Sequence, residues 1–441
     1  MDLQALDKAA PKDDYLFGPG PAWFAFAMTL GLMIFDYVDR QVIVSLFPYL
    51  KAEWQLSDKQ LGALVSVVSL TVALAALPVA LFADRVSRVK SIVAMATMWS
   101  LATISCMWAR SYGALFALRS VVGFGEAGYG AVGAALIASH FPARMRGALL
   151  AGFFASASVG SVLGVMLGGV IATHWGWQAA FGVVGIPGLL LALLYLKVRD
   201  YQTVAMSPAL EAKRQSLGRT VRHVALILAR TRTMLWVCIG GAAQLIVVSA
   251  LWSWLPSFLN RVHGIAPAQA GVKAALVVLA GAVGSVLWGA LVDRVGAHHP
   301  RRKLAAMALL CLLSMAVIAY AFGTAHEPAA QFGWIVLGGF LATCSVGPVS
   351  AIVIDVIHPG VRATGSSVLA LFQNLFGLAA GPFLVGILSD AIGLQPALTA
   401  VPLASVLAAA AFVLAARSYE ADKARAAELP EAAAAPRAAL A

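Results

Sequence analysis

Twelve stretches of this chain stay apolar for about 20 residues or more, the length an α-helix needs to cross the hydrocarbon core of a bilayer. They fall at approximately 22–49, 58–83, 90–109, 112–140, 146–174 and 177–197, and again at 232–260, 267–292, 303–323, 330–357, 363–391 and 394–416. The surface of a water-soluble fold grows too quickly with mass to hide so many. Composition agrees, with 61% of residues hydrophobic and 12% charged, against about 25% charged in an ordinary soluble domain. The sequence therefore specifies an all-α membrane protein of 12 transmembrane helices, solvated over most of its surface by lipid.

The runs divide as six, a polar linker and six. The expected organisation is an amino-terminal segment 1–21, a six-helix bundle 22–197, a linker 198–231, a second six-helix bundle 232–416 and a tail 417–441. In the linker, Ser207-Pro208 is a helix-start signal. Leu217, Val221, Val224 and Ile227 there oppose Arg214, Arg219 and Arg222, which suits either an interfacial helix or a mobile connection. The Ala-rich tail is expected to be disordered. The first run follows Asp2, Asp7, Asp13 and Asp14, exceeds the ~7–15 residues of a signal core and is followed by no small-residue cleavage pattern, so it reads as a retained first transmembrane helix.

The net charge of +11 would suggest a nucleic-acid partner on a soluble chain, but its distribution gives another reason. With the amino terminus placed in the cytoplasm, 24 of the 31 Lys and Arg residues fall in cytoplasmic segments, and only Lys51, Lys59, Arg110 and Arg261 lie opposite. This is the positive-inside bias of a multi-pass cell-membrane protein with both termini cytoplasmic. Cys106, Cys238, Cys311 and Cys344 sit singly inside apolar runs, as packing residues, without the close spacing of a metal site. All eight histidines lie in loops or near helix ends, so the ligand cluster of an intramembrane metalloenzyme is not apparent. Neither a metal nor a cofactor is expected, and the chain does not read as an enzyme.

The two halves share a string. Ala80-Leu81-Phe82-Ala83-Asp84-Arg85-Val86-Ser87-Arg88 follows the second run, and Gly289-Ala290-Leu291-Val292-Asp293-Arg294-Val295-Gly296 follows the eighth. Two copies at equivalent places indicate duplication. Both resemble the signature loop of the major facilitator superfamily, Gly-x-Leu-Ala-Asp-Arg-x-Gly-Arg-Lys, with Ala80 and Ser87 in place of glycines. The resemblance implies a cytoplasmic latch built from Asp84, Arg85, Arg88, Asp293 and Arg294 that closes in one conformational state. A solvated, topology-fixing loop is the plainer reading.

In the fourth span, Leu115-x-x-x-Arg119-x-x-x-Gly123-x-Gly125-Glu126 resembles the superfamily's arginine-and-glycine element, which is linked there to proton coupling. Gly123 to Gly128 also fit G-x-G-x-x-G, but a dinucleotide site needs a strand before that pattern and a helix start within it. Gly160, Gly164, Gly168 and Gly169 resemble the antiporter motif, with Val165 at the proline position. Gly377-x-x-x-Gly381-Pro382 repeats the ridge in the eleventh span. Such ridges let helices approach closely.

Ionisable side chains inside a membrane are expensive and normally face a cavity. Asp36, Asp39 and Arg40 share one face of the first span, and Arg119 and Glu126 one face of the fourth. Three carboxylates then meet two guanidinium groups, leaving one carboxyl as the natural proton site; a static ion-pair network is the alternative. Asp39 is expected to pair with the adjoining Arg40, and Glu126 to be the carboxyl left over.

Phe35-Asp36-Tyr37-Val38-Asp39-Arg40-Gln41, Arg119 to Tyr129, and Gly176 to Phe181 resemble the spinster family of lysolipid and sphingolipid transporters. The second half matches more loosely, through Arg362-Ala363-Thr364-Gly365 and Asn374. Organic-anion symporters share the Asp-Arg and Gly-Glu-Ala elements. The resemblance implies two six-helix bundles around a midplane cavity, alternating access, and proton coupling through Asp39 and Glu126. Cavity candidates are Tyr37, Tyr129, Gln244, Trp252, Trp254, Lys273, Thr343, Ser345, Gln373 and Asn374, although the two tryptophans suit interfacial anchors equally well. The expected function is transport of an amphipathic, lipid-like substrate by a monomer driven by the proton gradient. Symport of a small organic anion held by Arg40, Arg119 and Lys273, multidrug efflux, and a transport-dead sensor are the alternatives.

Overall fold

The computed structural model describes residues 15–200, 231–296, 300–324, 327–357 and 362–434. The interfacial helix expected in the linker lies outside them.

Each apolar run folds as a helix, because a backbone in lipid finds hydrogen-bond partners only within itself. They are α1 (Pro19–Trp54), α2 (Asp58–Val86), α3 (Arg88–Trp108), α4 (Tyr112–His140), α5 (Ala143–Trp175) and α6 (Trp177–Tyr195). The second half holds α7 (Arg232–His263), α8 (Pro267–Gly296), α9 (Pro300–Gly323), α10 (Pro328–Asp355), α11 (Arg362–Ile392) and α12 (Leu394–Ala434). Their outer flanks stay apolar, with side chains such as Leu74, Val286 and Leu309 facing outward.

The helices α1–α6 and α7–α12 form two bundles that repeat each other. Gly176 joins α5 to α6 with φ 83° and ψ 158°, and Gly393 joins α11 to α12 with φ 91° and ψ 158°. Few residues besides glycine adopt such angles. The glycine ridges pack in the same paired way. A Cβ at Gly160, Gly164 or Gly168 of α5 would strike the carbonyls of Ile34, Val38 and Val42 on α1. One at Gly377 or Gly381 of α11 would strike α7.

The start of α1 and the end of α12 lie at one face, called the terminal face here. The bundles meet where α5 packs on α8 and α2 on α11. Contact is tight towards the opposite face, where Gly169 faces the Pro267 carbonyl and Gly62 the Pro382 carbonyl. Towards the terminal face α5 and α8 part, leaving an apolar crevice of about 600 Å³ lined by Ser158, Val162, Leu279 and Val286.

The disorder expected from 417 onward is corrected over the described residues, because α12 continues as a helix to Ala434. Asp422, 3% exposed, accepts a 2.8 Å hydrogen bond from the Thr233 backbone N–H at the start of α7. Glu420 pairs with Arg301 at 2.8 Å. Capping the free N–H groups of α7 gives the extension a partner that an isolated Ala-rich segment lacks.

Candidate functional site

The five intramembrane charges converge where α1 crosses α4. Asp39 faces Arg119, whose Nη1 donates to Oδ1 at 3.0 Å and to the Asp39 carbonyl at 3.3 Å. Thr103 of α3 donates its hydroxyl to the other Asp39 oxygen at 2.6 Å. Arg40 turns the other way. Its Nε donates to Asp36 Oδ1 at 2.8 Å and lies 3.0 Å from Glu126 Oε2, while Tyr37 stacks on the guanidinium at 5.2 Å. The Glu126 contact is charge against charge without hydrogen-bond alignment, so both Glu126 oxygens are buried without hydrogen-bond partners, and Arg119 Nε and Nη2 are likewise buried without one among the described residues.

The expected pairing is therefore corrected. Consecutive residues point about 100° apart around a helix, so Arg40 reaches back one turn to Asp36 while Asp39 faces α4. Glu126 does not stand alone: it shares one guanidinium with Asp36. The surplus of one carboxyl persists, but it belongs to the Asp36–Glu126 pair.

The path of α4 sets where Glu126 points. Its first segment ends at Glu126, Ala127 is extended, and Gly128, with φ 83°, starts the second segment at Tyr129. A Cβ at Gly123 would strike Thr71 and Val68 of α2, and one at Gly125 would lie 2.8 Å from the Trp99 backbone nitrogen. The nucleotide-like glycine pattern is thus a helix-packing surface that lets α4 sink between α2 and α3.

The latch candidates are described only in part. The side chains of Asp84 and Arg85 lie outside what is described. Arg88 donates to Ser139 at 3.2 Å. Ser87, standing where the superfamily has glycine, caps the start of α3 and donates to both Asp200 carboxylate oxygens at 2.8 Å. Asp293 pairs with Lys303 at 2.5 Å within the second bundle, and Arg294 is exposed.

The cavity candidates divide. Tyr129 donates to the Thr29 carbonyl at 2.6 Å, Gln244 to Ser314 and the Ala342 carbonyl, and Thr343 to the Gly281 carbonyl, all from buried positions. Ser345 is buried as well. Trp254 is buried near the opposite face, 5.1 Å from Phe47, and donates to the Pro382 carbonyl. Half-buried positions are held by Tyr37, Trp252, Lys273, Gln373 and Asn374, the last two on a π-helical turn of α11 (Gln373–Leu378).

Sequence reasoning passed over a clamp at the opposite face. Asp58, at the start of α2, takes hydrogen bonds from Arg261 of α7 at 2.9 and 2.7 Å, Lys51 at 2.5 Å and Ser389 of α11 at 2.5 Å. Asp390 of α11 accepts from the backbone N–H groups of Asp58 and Lys59 at 2.8 and 2.9 Å. One bundle thereby caps a helix of the other, with a carboxylate at the positive end of its dipole. The available signal was the Ser57-x-x-Gln60 capping box, which fixes the helix start but not its distant partner.

Residues 29–382 and 237–440 match the sequence profile of the Major Facilitator Superfamily. An MFS-type efflux pump of Mycolicibacterium smegmatis is 29% identical over 378 residues, covering 85% of this chain and 86% of that one. Human protein spinster homolog 3 is 26% identical, over 92% of this chain and 86% of its own length. A crystal structure of a bacterial homologue of the human lysosomal transporter Spinster, inward-facing and unoccupied, superposes with a TM-score of 0.82 at 22% identity, covering 92% of this chain and 99% of that one.

Proposed function

The chain belongs to the Major Facilitator Superfamily, and from that premise we propose that it is a proton-coupled secondary transporter of an amphipathic, lipid-like substrate. The carrying observation is the unequal charge cluster, in which Asp36 and Glu126 share Arg40 while Asp39 has Arg119 and Thr103 to itself. A group that can neutralise inside a low-dielectric site is one whose counter-charge is already divided. Protonating Asp36 or Glu126 leaves Arg40 with one partner and the cluster neutral. The proton then changes how firmly α1 holds α4, and a change of that kind biases alternating access.

The positive-inside bias supports cytoplasmic termini. With that orientation, the closed clamp at Asp58 and the crevice between α5 and α8 correspond to an inward-open state. An amphipathic substrate is supported by the apolar lining of that crevice and by the spinster relatives. The efflux-pump relative favours a second reading, export of apolar drugs through the same path.

The test uses protein reconstituted in vesicles with an imposed pH gradient and a panel of lysolipids, organic acids and cationic drugs. Accumulation that collapses with a protonophore supports the reading, and a lysolipid signal separates it from drug efflux. Uptake indifferent to the pH gradient across the whole panel would refute proton coupling.

A further inference from the structure

Lys273 stands six residues past the start of α8 at Pro267, about 9 Å along the helix axis. For a helix that crosses the whole bilayer, this is headgroup depth in the leaflet opposite the termini. The side chain is half-buried, and no carboxylate lies within ion-pair distance of it among the described residues; its ammonium sits 5.4 Å from the centre of the Phe332 ring on α10. A cation at a membrane interface without a protein counter-charge is open to one from the lipid.

The surroundings have the shape of that ligand. Gln269, Val272 and Lys273, with Val170 of the neighbouring α5, line a recess of about 350 Å³. Below it along the same stripe of α8, Leu276, Leu279 and Val283 face Phe332, Val336 and Phe340 of α10 across an outward-facing groove of about 620 Å³. The spacing 269, 272, 276, 279, 283 is one continuous helix face. From Lys273 to Val283 the stripe descends about 15 Å, half of the ~30 Å hydrocarbon core and therefore one leaflet.

We infer that the outer flank of α8 and α10 binds an anionic phospholipid of the leaflet opposite the termini, with its phosphate on Lys273 and an acyl chain in the groove beneath. Charge complementarity selects this occupant over a zwitterionic lipid, whose own ammonium already accompanies the phosphate. Gln269, one turn nearer the face, places an amide donor beside the same headgroup. The site faces lipid and does not use the α1–α4 charges, although Leu279 and Val283 also border the crevice between α5 and α8.

The experiment uses full-length protein in phosphatidylcholine vesicles doped with phosphatidylglycerol carrying a mid-chain diazirine. After photolysis the labelled peptides are mapped by mass spectrometry. Label should fall on 276–283 and 332–340, drop about fivefold in Lys273→Met, and persist in Lys273→Arg. A diazirine phosphatidylcholine should label the same peptides weakly and without regard to Lys273. Label at these helices that ignores Lys273→Met, or that is as strong from phosphatidylcholine, would reduce the groove to non-selective lipid contact and overturn the assignment. The thermal midpoint of each purified variant reports whether it is folded.

Discussion

At the scale of single residues, the decisive fact is that Arg119 is fully buried and that, among the described residues, Asp39 is its only ion-pair partner. Removing that partner leaves an uncompensated buried charge, which costs about 3–5 kcal/mol. Asp39→Asn should therefore lower the thermal midpoint of the purified protein and abolish transport together. Arg40 is different, because Asp36 and Glu126 both face it. Asp36→Asn and Glu126→Gln should each be tolerated, and the double variant should lose more stability than the two single losses added, by the logic of a double-mutant cycle. Strict additivity would mean that the two carboxylates do not share the guanidinium. Glu126→Gln should also stop accumulation driven by a pH gradient while leaving substrate exchange measurable. A Glu126→Gln protein that still accumulates substrate would move the proton to Asp36 or out of the cluster. The sequence carried the identity of these five residues and their shared depth. It did not carry the pairing, because Arg40 reaches Asp36 and Glu126 only after α1 has turned Asp39 towards α4.

Helices repeat the contrast between what local chemistry dictates and what contact decides. All twelve spans were legible, because bilayer thickness demands length and lipid forbids an unpaired backbone. The tail after 417 was not, since its helix is held by Asp422 on the distant start of α7. The break in α4 was equally hidden: Gly125-Ala127-Gly128 reads as helix packing until a positive φ appears at Gly128. Two sets of substitutions test these elements. Gly164→Ala places a Cβ 2.6 Å from the Val38 carbonyl, whereas Gly152 has open space at that position. The first should destabilise by about 1–3 kcal/mol and the second should leave the thermal midpoint unchanged or slightly higher. Gly128→Ala forces an L-residue into left-handed geometry at about 1–2 kcal/mol. Because that turn aims Glu126, the variant should alter coupling to the pH gradient more than substrate binding, and an unaltered coupling ratio would separate the break from the proton site.

Across the whole molecule, the two bundles are joined firmly at one face and parted at the other, and Asp58 is the centre of the firm end. Its partners Arg261 and Ser389 lie more than two hundred residues away along the chain and look, in sequence, like solvated helix ends; only the folded arrangement makes them one clamp. Asp58 gathers Lys51 and Arg261 while Asp390 caps the helix that begins at Asp58. Such a clamp stabilises the state closed at the opposite face and contributes nothing once that face opens, so weakening it must shift the population towards opening. Spin labels on Lys59 and Val262, both exposed on that face in different bundles, report the separation directly. In the parent protein the short distance should dominate. Asp58→Asn keeps the size of the side chain and removes the charge shared by Lys51 and Arg261, so a longer-distance population should appear and grow, with a matching contraction between labels on the terminal face. Arg261→Gln should do the same more weakly, because Ser389 still donates to the carboxylate and Asp390 still caps the helix from the other bundle. If Asp58→Asn leaves both distance distributions unchanged, the contacts among α2, α7 and α11 are static packing, and the switch between states lies elsewhere in the molecule.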